Sequence, residues 1–518
     1  MSEDASKRAK PEFEGDCEFP LQKKVKKGHY NYENQSKGFL IGKATYTQQY
    51  CEIYSARTKA MKGLLVRTVE RLGGGGGQVS GQLNGHVKAE LGCKVKGEDA
   101  GSGTGEETGS GTGEDTGEGT GEVKSEGTGD GTGDGTGDGT GDGTGRSCGG
   151  KAYPLLHYLK EIKTNENCYC IGTLFKKMEL RPSILNEYIS EINEAEDVVV
   201  NYSHDEDVLF LEDETARLKL EGNINSDHYV TGLTVIIKGT GMSNGSLYVE
   251  ELIYAYVPKL EVPRCISDDD KYILFVSGLY ISEQNENGHN TSLLKNFILG
   301  LHGDKHLSEK LIRVVIVGNC LRNVESNEKD MNTVDTFLAS LCPAVYVDLM
   351  PGEKDPSDAI LPQQPFPNLF FKTARSYSSF QCVTNPYLFS IDGVNVCCMS
   401  GEPVNNIVSY SKNCPLDALK MIAKSRILSP TSPDTLGCYP FIEKDPFCLP
   451  DDDKYPHIFV NGNCAQLEVQ HLHGEKTLPL LACLPSFDVT PKALLVNIRN
   501  MQHVTLSFDV GEGSAIQK

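Results

Sequence analysis

Between positions 46 and 72, apolar side chains fall at Tyr46, Tyr50, Ile53, Tyr54, Met61, Leu64 and Leu65. That spacing predicts a helix from Tyr46 to Leu72 with one face laid on a core. The pattern then stops. Gly73–Gly77 is an unbroken glycine run, and from Gly101 to Gly145 the chain settles into Gly-Thr-Gly-Asp or Gly-Thr-Gly-Glu. Glycine loses the most entropy on ordering and the repeat offers no apolar surface to offset it, so 73–150 is expected to be a solvated insertion. Beyond Ala152, alternation of apolar and polar residues predicts strands at Cys168–Leu174, Val208–Leu211, Leu218–Leu220, Val230–Lys238 and Ser246–Val257, parted by Gly, Asn and Asp turns. Five strands in so short a stretch predict a small closed barrel of the oligonucleotide-binding type over 152–260, with a helical excursion at Ser183–Ala195. After Pro263 the rhythm changes. Short strands that are apolar but for Arg313 (Tyr272–Val276, Leu311–Val317) alternate with helices (Thr333–Leu341, Leu416–Ile427), and further strands are read at Ala344–Leu349, Phe380–Val383, Val394–Met399, His457–Val460, Leu478–Leu484 and Ala493–Ile498. Buried strands set between helices predict an α/β domain over 263–518. The expected fold class is thus an all-β barrel joined to an α/β sandwich.

The ends and the charge narrow the class. Residues 1–38 are polar and rich in Lys, Glu and Pro, and are expected to be a disordered tail. Two basic clusters lie there, Lys7-Arg8-Ala9-Lys10 and the group Lys23, Lys24, Lys26 and Lys27, in the form an import receptor reads. With no apolar run long enough to cross a bilayer and no signal peptide, the expected location is the nucleus rather than a membrane. The formal net charge of the 518 residues is -21, against an autonomous DNA grip, which needs a basic stripe to displace counterions. The barrel carries Glu212, Asp213, Glu214, Glu250 and Glu251, so a structural or protein-binding barrel is expected rather than a single-strand binder. Seventeen cysteines include no C-x-x-C pair, and reduced buried thiols are expected. Asp130, Asp134, Asp138 and Asp142 recur regularly in the insertion, but without the large apolar residue a calcium-binding β-helix repeat requires. No cofactor is implied.

In α/β folds ligand groups sit on loops beyond the strand C-termini. Here those loops read Ser277-Gly278-Leu279, Gly318-Asn319-Cys320-Leu321-Arg322, Pro351-Gly352-Glu353-Lys354-Asp355, Ser400-Gly401-Glu402 and Gly462-Asn463-Cys464-Ala465. Their order and glycine placement resemble the calcineurin-like metallophosphoesterases, which hold two metals with D-x-H, G-D-x-x-D, G-N-H-[DE], a later G-H and G-H-x-H. Carried over, the ligand positions fall on Ser277 and Leu279, Asn319 and Arg322, Glu353 and Lys354, Glu402, and Asn463 and Ala465. The resemblance therefore implies a phosphodiesterase site that kept its turns and lost its ligands, and a protein that is not an enzyme.

Longer stretches are more particular. These are 172–185 (Gly-Thr-Leu-Phe-Lys-Lys-Met-Glu-Leu-Arg-Pro-Ser-Ile-Leu), 347–356 (Val-Asp-Leu-Met-Pro-Gly-Glu-Lys-Asp-Pro), 361–365 (Leu-Pro-Gln-Gln-Pro), 384–387 (Thr-Asn-Pro-Tyr) and 429–441 (Ser-Pro-Thr-Ser-Pro-Asp-Thr-Leu-Gly-Cys-Tyr-Pro-Phe). Together they resemble the second, B-type subunits of replicative DNA polymerases of the delta type, shared in many eukaryotes with polymerase zeta. The resemblance spans about 39–72 and 168–508; the insertion departs from it. It implies an accessory scaffold in DNA replication and repair. Its partners would be the cysteine-rich C-terminal domain of the catalytic subunit and a third subunit, with DNA met weakly or through the complex. Leu436, Tyr439, Phe441 and Ile442 offer either an aromatic anchor for a partner or a plug at the sheet edge. Asp451-Asp452-Asp453 offers a contact for a basic segment or a solvated face. The competing classes are an active metallophosphoesterase, which needs ligands where Leu279, Arg322 and Lys354 stand, and a single-strand binder, which needs bases where the barrel shows acids.

Overall fold

The computed structural model describes residues 30–42, 51–73, 153–181, 200–263, 269–282, 288–321, 328–473, 478–509 and 516–517. The insertion, the helix expected at Ser183–Ala195, Arg322 and the basic clusters of the tail lie outside them.

The first helix, α1 (Cys51–Gly73), buries Ile53, Ala56, Met61, Leu64, Leu65 and Val69 at helical spacing. It lies on a closed barrel of β2 (Asn167–Lys177), β3 (Val208–Glu212), β4 (Arg217–Gly222), β5 (Thr234–Gly241) and β6 (Leu247–Ile253). Every second side chain of β2 from Cys168 points inward, the period of a strand with one wet face. Around the barrel the order is β2-β3-β4-β6-β5, closed by a parallel pairing of β4 with β6. This is the circuit of an oligonucleotide-binding barrel. The strand expected from Val230 starts only at Thr234, because Gly232 holds φ at +92° in a turn. The strand expected to reach Val257 ends at Ile253.

The rest forms two stacked sheets. One has seven strands in the order β10 (Phe380–Cys382), β9 (Tyr346–Met350), β8 (Leu311–Val317), β7 (Tyr272–Val276), β16 (Lys492–Asn497), β17 (His503–Ser507) and β18 (Ile516–Gln517). The other runs β1 (Tyr32–Asn34), β11 (Tyr387–Ile391), β12 (Val394–Met399), β13 (Ile458–Cys464), β15 (Leu480–Pro485) and β14 (Glu468–His471). Ile273, Phe275, Val315 and Val317 of the first sheet meet Phe389, Val396, Ile458 and Val460 of the second in an apolar layer, interrupted by the buried Arg313–Asp348 pair. The outer face of the seven-stranded sheet is covered by α2 (Gly288–Ile298), the short α3 (Lys305–Glu309) and α4 (Glu328–Leu341). That of the six-stranded sheet is covered by α5 (Glu402–Ser409) and α6 (Pro415–Ser425), which share one core with the barrel. The order of layers is helix, sheet, sheet, helix.

The expected disordered tail ends earlier than residue 38. Tyr32–Asn34 pairs with β11, Ser36 Oγ both donates to Leu388 O (2.9 Å) and accepts from Leu388 N (2.8 Å), and Phe39 is buried against Phe447. Three residues carry no local periodicity, and their partners lie more than 350 positions away in sequence.

Candidate functional site

The loops after β7, β8, β9, β12 and β13 converge on one crest, and backbone geometry explains how they come so close. Gly278, Gly318 and Gly401 hold positive φ (+64°, +76° and +132°), as do Asn319 (+52°) and Asn463 (+56°), residues whose short polar side chains tolerate the left-handed region. A Cβ on Gly318 would sit 2.1 Å from Ser400 Oγ, and one on Gly352 would sit 2.5 Å from both Ser400 Oγ and Asn319 Oδ1. Those glycines are needed for contact between loops.

The crest gathers Ser277, Asn319, Glu402 and Asn463. Ser277 Oγ donates to Pro485 O (3.0 Å) and accepts from Asn463 N (3.0 Å). Asn463 Nδ2 donates to Ser400 O at 2.6 Å. Asn319 Oδ1 accepts from Lys354 N (2.9 Å), and its Nδ2 donates to Tyr280 Oη (3.2 Å). Glu402 lies at the start of α5, with Oε2 accepting from Asn385 Nδ2 at 3.0 Å. The other carried-over positions point elsewhere. Leu279 turns into the apolar layer beneath α2 and α4, Glu353 and Lys354 pair with each other in solvent at 3.3 Å, and Ala465 is exposed. Arg322 lies outside the described residues. Among the described residues no three His, Cys, Asp or Glu side chains converge as a metal would require.

Three crest residues were given no role by the sequence, although Ser400 and Asp355 stand in the loops it singles out. Asn385 ties Gln363 (2.8 Å) to Glu402, and its Oδ1 accepts from Ser400 N at 3.2 Å; its only signal was its place in Thr384-Asn-Pro-Tyr387. Ser400 sits at the centre of the contacts. Asp355 accepts from Leu321 N (2.8 Å) and Gly352 N (2.9 Å), joining two loops. Burial pushes its carboxyl up to about 7 against the pull of those amides. Burial likewise raises Glu402.

The loop carrying Leu436, Tyr439, Phe441 and Ile442 is less open than its sequence suggests. Tyr439 is buried with its ring 5.0 Å from Phe441, which stands edge-on to buried Phe447. Leu436 and Phe441 pack on the core shared by barrel and helices, leaving only Ile442 exposed. Apolar side chains here had more core to cover than the sequence shows. Asp452, in the acidic run, is engaged within the chain: its carboxylate accepts from Arg426 Nη1 (2.8 Å) and from Tyr256 Oη.

Both halves of this architecture have known counterparts. Residues 49–252 match the family model of the DNA polymerase delta subunit OB-fold domain, and 273–469 that of the B subunit of DNA polymerases alpha and epsilon. Barrel and layered sheets together define a DNA polymerase B subunit. Whole-chain relatives sharpen the class. The DNA polymerase delta small subunit of Oryza sativa is 34% identical over 368 residues, covering 67% of this chain and 85% of that protein. Those of Arabidopsis thaliana (34%, 67% and 83%) and Saccharomyces cerevisiae (31%, 68% and 81%) are similar. The chain belongs to the family of DNA polymerase delta small subunits, accessory subunits of a replicative polymerase.

Proposed function

We propose that the chain is a non-catalytic scaffold, a barrel packed on a phosphodiesterase-like sandwich whose metal site has degenerated. In this reading it grips the cysteine-rich C-terminal domain of the catalytic polymerase delta subunit, holds a third subunit alongside, and works in the nucleus. The observation that carries the reading is the crest. Its loops keep the close approach and positive-φ turns of a ligand site. Yet where a dinuclear centre needs carboxylates and imidazoles, the described carried-over positions that face inward are Ser277, Asn319 and Asn463, with Glu402 the one carboxyl among them. Amide and hydroxyl groups that bond to one another hold loops together; they do not generate a metal-bound nucleophile.

Co-expression with that C-terminal domain is expected to give a stoichiometric complex in gel filtration. A permanent interface of this kind buries more than about 2,000 Å², and separate elution at micromolar concentration would overturn the scaffold reading. The degenerate site is tested independently by incubating the purified chain with a chromogenic phosphodiester and excess Mn²⁺. No turnover is expected, and hydrolysis abolished by chelation would show that the crest is still a metal site.

A further inference from the structure

The chain is acidic overall, with a net charge of -21, yet one described face carries the opposite sign. The outer side of α1 presents Lys59, Lys62, Arg67 and Arg71, and Lys160 of the segment before β2 joins them. None of the five makes an ion pair with a described carboxylate, whereas Lys163, Arg181, Arg217, Lys219, Lys238 and Lys412 each do. Arg67 acts on Asp452 only through its longer-range field. Glu52 and Glu70 share the helix face, leaving a surplus of cations. Lys62 and Lys160 also approach the same ring, their ammonium groups 5.4 and 5.2 Å from the centroid of half-exposed Tyr158. Two like charges on one ring are held by its π-face rather than by an acid, an arrangement that favours an added anion. On the opposite flank the Arg71 guanidinium stacks 3.4 Å from the Tyr256 centroid, which fixes its plane while leaving donors for solvent.

From Lys59 to Arg71 the helix rises about 18 Å, room for several successive phosphates of one DNA strand. We propose that the outer face of α1, with Tyr158 and Lys160, is a sequence-independent contact for the phosphate backbone of DNA. The proposal deepens the scaffold reading by giving this subunit its own hold on the polymerase's substrate. A polyanion fits because the cations occupy successive turns around the exposed half of α1 and none of them pairs with a described carboxylate. The flanking Glu52 and Glu70 keep the contact weak and salt-sensitive, suited to following DNA rather than anchoring it.

The test uses the full chain and a short labelled duplex, with binding followed by anisotropy across a salt series starting at about 50 mM. The wild type is expected to bind weakly, with affinity falling steeply as salt rises. Lys62→Gln with Lys160→Gln, and Arg67→Gln with Arg71→Gln, should each weaken binding several-fold and make the salt slope shallower by roughly one to two units. Lys372→Gln, whose lysine faces Glu328 on the far sheet layer, should leave binding unchanged. Glutamine suits an exposed helix, so melting temperatures should match the wild type and exclude misfolding as the cause. Absence of binding at the lowest salt, or equal binding by all variants, would overturn the proposal. Poly-glutamate captured more tightly than DNA would overturn it too, assigning the face to an acidic protein. Co-elution with the catalytic subunit's C-terminal domain, measured on the same variants, reports separately on the scaffold reading.

Discussion

Glu402 shows what burial does to a carboxyl in the crest. Its Oε2 accepts one amide hydrogen from Asn385 and its Oε1 is left without a hydrogen bond, and burial raises its pKa above the ordinary glutamate value of 4.5. A buried carboxyl with so few donors is better accommodated as the neutral acid. The sign of the linkage follows. A folded pKa above the unfolded one favours the folded state fully below pH 4.5, and that contribution is lost as pH rises through the folded pKa. Asp355, pushed up to about 7, acts in the same direction. Glu402→Gln keeps the shape and the neutral charge. It is expected to be neutral or stabilising relative to wild type and to flatten part of the decline in stability as pH rises above 4.5. Urea midpoints of both proteins at several pH values would show it. A glutamine variant less stable than wild type at pH 7 would mean that Glu402 is ionised and held by something the crest supplies.

At the scale of elements, the segment 30–39 contributes more than its length suggests. β1 covers the exposed edge of β11, and Tyr32 Oη joins Tyr387, Gln381 and the buried Arg313–Asp348 pair. Covering an edge strand also removes a row of unpaired backbone groups. Phe39→Ala is expected to cost about 3–5 kcal/mol, read from urea unfolding; a loss under about 1 kcal/mol would show that this strap is not part of the core. The strap was not legible in the sequence because a three-residue strand has no period, whereas β8 and β12 stand out as apolar runs and α1 as a helical stripe. β17 went unread for a related reason: His503–Ser507 mixes polar and apolar residues and becomes a strand through its neighbours; β11, apolar but for Ser390, was within reach of the sequence and was passed over. Of the crest, the loops and their glycines could be read, and with them Ser277, Asn319, Glu402 and Asn463 as neighbours. Asn385 and Ser400 could not, because their roles depend on loops brought together by the fold.

At the scale of the whole molecule, three buried cations tie the barrel to the layered sheets. Arg57 of α1 donates to barrel residue Gly232 O (3.2 Å) and, across the junction, to Pro430 O (2.7 Å), Ser432 O (2.8 Å) and the Asp445 carboxylate (2.6 Å). Lys176 of β2 meets Asp207 (3.2 Å) and donates to Tyr410 O beyond α5 (3.0 Å). Arg426 reaches Tyr256 O just past the barrel (3.3 Å) as well as Leu449 O (2.7 Å) and Asp452. Even the backbones touch, since a Cβ on Gly232 would lie 1.8 Å from Pro430 O. With cations and main chain interlocked in this way, barrel and sheets are expected to unfold in one calorimetric transition. Arg57→Ala strips several carbonyls of their donors and leaves Asp445 as a buried, unpaired carboxylate, so it should cost about 3–5 kcal/mol. Arg57→Lys should recover little, because an ammonium cannot reproduce the planar fork that serves five partners at once, Ser429 O (3.3 Å) being the fifth. Adding Asp445→Asn to Arg57→Ala should restore part of the loss, since the stranded charge is then removed. Two separate transitions in the wild type, or a loss below about 1 kcal/mol for Arg57→Ala, would mean that the junction is a hinge rather than a fixed joint.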